Sequence, residues 1–360
     1  IDYYKKSLYN THNRRVIMIE AIDLFCGAGG LTAGLQQAGI KVKAGYDIEE
    51  QCRYAFEFNN HTEFVNKDVS LVDNEEIARR FSKKAIRLLA GCAPCQPFSK
   101  YNQGKDTTTD KKWPLLYAFA RLIEGNLPEL VTMENVPEVV KHQVYHDFVK
   151  KLENLGYHTW ADTVVCADYG VPQRRRRHVL LASRLGPIHL IDPTHKEKWI
   201  NIKEVIGHLP AINAGEQHPD DPLHRAVSLN TLNLKRIRAS KQGGSWKDWP
   251  EELQLACHKK SSGSTYVSIY GRMKWDEPSP TMTTQCYGYG NGRFGHPEQD
   301  RAISLREAAI FQSFPDDYQF YPVDSKMQTK DVGRMIGNAV PVRLGEVIGL
   351  SLQHHLKIKH

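Results

Sequence analysis

The chain has 360 residues, 41% of them hydrophobic and 25% charged, with a formal net charge of +7. That is enough material for a large core and two domains, and the basic balance points mildly to a polyanionic partner. No apolar run is long enough to span a membrane, the N-terminal stretch leads into no signal-peptide core, and seven scattered cysteines, an odd number, suit the reducing cytoplasm rather than a disulfide scaffold. The first residue is Ile1 rather than Met, so some residues upstream are expected.

In chain order, Val16–Phe25 reads as a strand and Leu31–Ala38 as a helix ended by Gly39. Val42–Tyr46 is a second strand, followed by a helix near Glu49–Phe58 and a short third strand at Glu63–Val65. Asn74–Lys83 is helical, Ile86–Ala90 is a fourth strand, and Leu130–Met133 is a fifth, entered after Pro128. Val144–Leu155 is a helix stopped by Gly156, and Thr159–Cys166 and His178–Ala182 are two closing strands. This alternation predicts an α/β fold: a mostly parallel sheet with helices on both faces. From 185 to 304 the texture changes to Gly, Pro, Ser, Thr and Trp with only short periodic runs. That stretch is expected to form a second, irregular domain, with 1–184 and 305–360 forming the first. Helical pattern returns at Leu305–Phe314 and Val342–His355.

The turn Asp23-Leu24-Phe25-Cys26-Gly27-Ala28-Gly29-Gly30 follows the first strand and opens the first helix. Glycines there let the backbone turn sharply and approach a ligand, although any tight strand–helix turn uses them. Asp47 ends the second strand about 20 residues on, where a carboxylate can bond ribose hydroxyls. Ile48 beside it is suited to pack on an adenine face, and Asp68, before Val69, to accept from an adenine amino group. NAD is disfavoured: the third glycine of G-x-G-x-x-G would fall at Thr32, and Asp23 would repel a pyrophosphate. An adenosine cofactor without phosphate, S-adenosyl-L-methionine, fits better, since its cationic groups tolerate carboxylates.

Gly91-Cys92-Ala93-Pro94-Cys95-Gln96-Pro97 follows the fourth strand, where a rigid sheet can present one side chain to a cleft. A thiolate is the strongest nucleophile available near neutral pH, which points to Cys95. The other reading is a C-x-x-C pair with a redox or zinc role. Zinc needs a second ligand pair at matching spacing, and none is visible. Glu134 and Asn135 end the fifth strand on the same sheet edge, where Glu134 can act as a proton donor or, alternatively, cap the next segment. Four adjacent arginines, Arg174 to Arg177, precede the last strand. Alternation puts Arg175 and Arg177 on one face and Arg174 and Arg176 on the other, so one pair can enter the cleft while the other meets phosphates or solvent; a solvated basic patch is the competing reading.

Together these residues resemble the DNA (cytosine-5) methyltransferases of bacterial type. Asp23–Gly30 is similar to the family's cofactor loop, Pro94-Cys95-Gln96 to its nucleophile motif, Glu134-Asn135-Val136 to its base-contacting motif, and Gln173-x-Arg175-x-Arg177 to its Q-x-R-x-R motif. Arg301–Pro315 and Ile336-Gly337-Asn338-Ala339-Val340-Pro341 resemble two later blocks, the last of which returns to close the cofactor pocket. Ala93, where the family usually has a second proline, and Asp47, where glutamate is commoner, are departures of small expected effect. The resemblance implies a Rossmann-like S-adenosylmethionine-dependent sheet with a target-recognition domain. It implies that Cys95 attacks carbon 6 of a flipped-out cytosine, helped by Gln96 and Asn135. Glu134 would contact ring nitrogen 3, and Arg177 with Arg175 would hold the base oxygen. It places the cofactor among Asp23, Phe25, Gly27, Gly29, Gly30, Leu31, Asp47, Ile48, Asp68, Val69, Pro94, Asn338 and Val340.

The partner implied is double-stranded DNA. Candidate contacts are Ser99, Lys100 and Arg174, with Arg236, Arg238 and Lys241 from the stretch Pro222–Lys247, which has no acidic residue. Gly243, Gly244, Arg272 and Arg293 lie in or beside Gly-rich segments suited to a groove. Ser99–Lys112 is expected to form a mobile lid, or else a plain connector. A clamp of two domains needs no second copy, so a monomer is expected, with a restriction endonuclease as a functional partner. RNA methylation, a non-catalytic DNA-binding role and a dithiol oxidoreductase using Cys92 and Cys95 are the alternatives. The last is separated by Cys92→Ser, which is tolerated if Cys95 works alone.

Overall fold

The computed structural model describes residues 18–94, 114–260, 265 and 267–357. Seven strands form one sheet in the order β3-β2-β1-β4-β5-β7-β6. They are β1 (Ile19–Leu24), β2 (Lys41–Asp47), β3 (Glu63–Asn66), β4 (Ile86–Gly91), β5 (Leu130–Asn135), β6 (His158–Val165) and β7 (Arg176–Ser183). All six residues of β1 and of β5 are buried, as expected for inner strands covered on both faces. β1 pairs in parallel with both β2 and β4, and β4 with β5. The chain therefore works outward from β1 in one direction, then returns to its other side at β4. Such a reversal opens a crevice at the carboxyl ends of the strands.

β7 inserts antiparallel between β5 and β6, with Asn135 opposite His178 and Val165 opposite Arg176. Its antiparallel sense brings the start of the strand, not its end, to the crevice. The arginine run is thereby delivered to the same edge as the ends of β1, β2, β4 and β5.

The helices are α1 (Gly30–Gln37), α2 (Arg53–Asn60), α3 (Asn74–Arg80), α4 (Pro114–Asn126), α5 (Gln143–Asn154), α6 (Ile202–Ile206), α7 (Thr231–Ala239), α8 (Leu305–Phe311), α9 (Thr329–Asn338) and α10 (Val342–Lys357). The helix expected from Glu49 begins as a 3-10 turn over Glu50–Cys52 and becomes α-helical only at Arg53. One apolar layer, with Phe119, Phe148 and Leu122, packs α4 and α5 on one face of the sheet. On the other face Leu31 and Leu35 of α1 meet Leu344, Val347 and Ile348 of α10. The contact is backbone on backbone: a Cβ at Gly34 would lie 2.3 Å from the Val342 carbonyl oxygen.

The stretch Thr329–Lys357 has the length and apolarity of a membrane-crossing segment, against expectation, but 78% of its most apolar window is buried in the protein. It is also broken at Ala339–Pro341, between α9 and α10. Its hydropathy is used in the core.

Beyond β7 the chain does not leave at once. Ile188 and Leu190 pack in the same cluster as α10, and the Ile191 amide donates to Ser351 Oγ at 3.0 Å. A further cluster joins Ile202, Ile206, Met273, Met282 and Ile303 to α8 and α9. A separate aromatic core forms around Trp246, Trp249 and Tyr289. Among the described residues of 185–304 there is no named strand, only isolated bridges.

Candidate active site

The turn after β1 is sharply bent, with Phe25 at φ 62° and Gly27 at φ 50°. A Cβ on Gly27 would meet nothing within 4 Å, so the space above the turn is open. Phe25 and Gly27 are partly exposed, whereas Asp23, Gly29, Gly30 and Leu31 are buried. Gly30 lies against the Val340 carbonyl, and Val340 itself is buried. Leu31, Val340 and Val69 therefore hold the pocket wall from behind rather than facing a ligand with their side chains. Asp47 braces the turn: its carboxylate accepts the Gly27 amide at 2.8 Å and the Glu49 amide at 2.9 Å. Each oxygen keeps a lone pair for a further donor. Ile48 stands 65% exposed beside it. Asp68 accepts the Ser70 amide at 2.8 Å, while Pro94 is partly exposed and Asn338 exposed.

Asp23 requires a correction. It has no exposed surface, so its carboxylate does not face a cofactor's cationic groups. Its Oδ2 accepts the Thr32 hydroxyl at 2.7 Å and its Oδ1 has no partner. Burial, aided by the nearby Asp47 charge and opposed by the Thr32 donation, raises its pKa from 3.8 to about 7. The folded state thus holds this proton more tightly than the unfolded chain. The resulting stabilisation is complete below about 3.8 and lost as pH rises through about 7. Asp23→Asn, which keeps an acceptor for Thr32, should unfold at higher temperature than the parent at pH 8. The advantage, about 4 kcal/mol at most, should vanish at pH 4; thermal unfolding of the cofactor-free protein across pH checks it.

On the other side of the crevice the Cys92 amide still bonds to the Leu24 carbonyl at 3.2 Å, prolonging the β1–β4 ladder into the loop. Glu134, at the end of β5, is 3% exposed. The Cys92 thiol donates to its Oε2 at 2.9 Å. Its Oε1 lies 2.8 Å from Arg177 Nε, whose side chain is 12% exposed. That contact is an ion pair without an aligned hydrogen bond, because the same oxygen has no hydrogen-bonding donor. Asn135 ties the two loops together: its Nδ2 donates to the Ala93 carbonyl at 3.1 Å and its Oδ1 accepts the Val136 amide at 2.8 Å. Asn135 is thus a brace for the segment leading into Cys95.

Cys95, Gln96, Ser99, Lys100 and the expected lid lie outside the described residues. Of the other cysteines, Cys26, Cys52, Cys166 and Cys286 are buried, and burial pushes Cys52, Cys166 and Cys286 up to about 12. None of these four is poised as a nucleophile.

Arg175 is a second correction. It is buried, not in the crevice, and donates to the carbonyls of Met282 at 2.9 Å, Gly337 at 3.2 Å and Ala339 at 3.4 Å. Gln173 beside it donates to the Phe311 carbonyl and to Gln312, and accepts the Met282 amide. The motif splits: Arg177 reaches Glu134, while Gln173 and Arg175 close a seam between the chain at Met282 and that at Phe311–Ala339.

Half of the ten expected DNA contacts are also corrected. Arg236 is buried, donates to the Leu253 carbonyl and stacks on Trp249 at 5.4 Å. Arg272 is buried and donates to the carbonyls of Ile237, Ser240, His296 and Gln299. Arg293 donates to the carbonyls of Gly243 and Gly244, so these glycines form an internal turn. In a unit without a sheet, guanidinium groups satisfy backbone oxygens that strands would otherwise pair. Lys241 is exposed. Arg238 is 65% exposed with Asp300 at 3.1 Å, and Arg174 is half-exposed with Glu277 at 3.2 Å. Sequence reasoning missed Cys92 and Thr32 as members of the site. Each touches a carboxylate across the fold, and only spacing from the strand ends hinted at them.

A reversed-order sheet with an open glycine turn over Asp47 and a buried glutamate beside a thiol loop defines an S-adenosylmethionine-dependent methyltransferase. A model of the C-5 cytosine-specific DNA methylases matches residues 19–354. The chain is 51% identical over 343 residues to the Type II methylase M.HgiDII of Herpetosiphon aurantiacus, covering 94% of this chain and 96% of that one. It is 31% identical over 334 residues to the Type II methyltransferase M1.HphI of Haemophilus parahaemolyticus, covering 91% and 84%. A prophage-encoded DNA modification methyltransferase structure from Escherichia coli superimposes with a TM-score of 0.72 over 94% of this chain and 99% of that one at 22% identity, a likeness of fold. The chain belongs to the C-5 cytosine-specific DNA methylase family. It is a DNA cytosine-5 methyltransferase that uses S-adenosyl-L-methionine.

Proposed function

We propose that the crevice methylates cytosine within a specific sequence of duplex DNA through a transient bond from Cys95. The carrying observation is the arrangement at the end of β5: Glu134 held between Arg177 and Cys92, with Asn135 fixing the loop into Cys95. The bound cofactor supplies an electrophilic methyl group on a sulfonium. The cysteine thiolate adds to carbon 6, the electrons of the 5,6 double bond make carbon 5 nucleophilic, and Glu134 at ring nitrogen 3 limits charge on the ring. Once carbon 5 is methylated it loses its proton, the double bond re-forms and the thiolate leaves. Arg177 holds Glu134 in place and is near enough to the crevice to meet the base oxygen.

A base within a duplex cannot reach this geometry and must be flipped out. The unit within 185–304 reads the sequence, with Arg238, Lys241 and Arg174 at phosphates. Residues Ile188–Ile191 are assigned instead to the catalytic unit, because they pack on α10. The names of the relatives support a modification role opposite a restriction endonuclease in a bacterial cytoplasm, and the enzyme acts as a monomer. The test is duplex DNA carrying 5-fluorocytosine, which cannot lose a carbon 5 proton. A denaturation-resistant adduct that requires S-adenosylmethionine is expected, and sequencing of methylated DNA gives the context. A non-catalytic DNA-binding protein would form no adduct.

A further inference from the structure

We propose that Cys92 is a positioning residue for methyl transfer, its thiol fixing the Glu134 carboxylate before the base arrives. The proposal rests on the role given to Glu134 above. Glutamate has three rotatable side-chain bonds, and at a strand end it would sample several rotamers. Here both oxygens are engaged: Oε1 by the Arg177 charge at 2.8 Å, Oε2 by the Cys92 thiol at 2.9 Å. Only the second is a hydrogen bond, so Cys92 adds the directional constraint to the charge that Arg177 supplies.

Two independent links fix the thiol relative to Glu134. The Cys92 amide is tied to Leu24 of β1, and the next residue, Ala93, is tied through its carbonyl to Asn135 of β5. The donor is thus mounted on two strands and not on a free loop. A thiol is a weak donor. It orients the carboxylate but yields readily when that oxygen takes up a proton and donates it to ring nitrogen 3. A partly exposed position at the crevice wall permits that exchange. Cys92 acts through Glu134.

The test compares kcat and KM in the parent, Cys92→Ala, Cys92→Ser, Glu134→Gln and the double variant Cys92→Ala with Glu134→Gln. Cys92→Ala should lower kcat about tenfold, a usual cost for one hydrogen bond to a charged group, with KM for cofactor and DNA within about twofold. Cys92→Ser, which keeps a donor, should recover to within about threefold of the parent. In the Glu134→Gln background Cys92→Ala should add less than about twofold, because coupled residues are not additive. An unchanged kcat in Cys92→Ala, or a further full tenfold loss in the double variant, would overturn the role of Cys92 alone. Full activity in Glu134→Gln would overturn the reading of Glu134 instead. Should Cys92→Ala not fold, Cys92→Val fills the sulfur's space without a donor and carries the same expectation.

Discussion

Cys95→Ser should abolish methyl transfer, lowering the rate by more than about 10³-fold, while S-adenosylmethionine binds as before. The reason is chemical. A thiol is a few per cent ionised at neutral pH and intrinsically nucleophilic, whereas a serine hydroxyl is scarcely ionised without a strong base. The Glu134 carboxylate is already engaged by Arg177 and Cys92. The other buried thiols are held protonated by burial and cannot substitute. Binding should survive because the turn at Gly27 is braced by Asp47, which accepts the Gly27 and Glu49 amides. Transfer of a labelled methyl group and calorimetric titration of the cofactor check the two halves. Substantial transfer by Cys95→Ser would refute the covalent route.

The largest loss of stability is expected from Arg301→Met. Arg301 and Glu307 are 0% and 1% exposed and form a bidentate pair at 2.8 and 2.7 Å. The Glu307 carboxylate also accepts the Ser304 amide at 2.7 Å, capping α8. Removing the guanidinium strands a buried charge, which costs about 3–5 kcal/mol and should lower Tm by roughly 5 °C. Adding Glu307→Gln should return at least part of it.

The pH dependence has a defined sign. Burial alone would raise Glu307, but the charge and hydrogen bonds of Arg301 hold it at about 2. Its stabilisation is therefore complete above the ordinary value of 4.5 and lost as pH falls toward 2. The difference between parent and Arg301→Met should be full above about pH 5 and shrink below it. Nearby His296, kept neutral by burial with a pKa of about 4, makes no ion pair with Glu307 at neutral pH despite a 3.7 Å approach. It instead costs stability as pH falls from 6.5 toward 4, where only the unfolded chain takes the proton. Thermal melts from pH 3 to 8 check both.

The sheet was legible because its strands are continuous apolar runs ended by glycine or by a charged residue. β4 and β5 end within two residues of the expected limits, and the chemistry-bearing residues follow from the strand ends. α4, largely apolar, and α9, where Gly333 and Gly337 take two places on the buried face and thin its apolar stripe, were missed. The direction of β7 was not legible, and with it the fate of the arginines. Alternation places Arg175 and Arg177 on one face only if both lie in the strand, but the strand begins at Arg176. In the irregular unit, charge was a poor guide for the same physical reason throughout. Without strands to pair its carbonyls, that region recruits Arg236, Arg272 and Arg293 inward. A basic stretch in a sequence thus distinguishes poorly between a surface that meets phosphates and a scaffold held by its own cations.

The seam at Gln173 and Arg175 bears on how DNA gets in. A hinge between the lobes at that place would have to tear a guanidinium away from three carbonyls and an amide side chain from its buried ring of partners. The two halves should therefore travel as one block, offering the double helix a slot of preset width instead of jaws that part. The chain at Gly337–Ala339 keeps its place through each turnover, because the same arginine grips it.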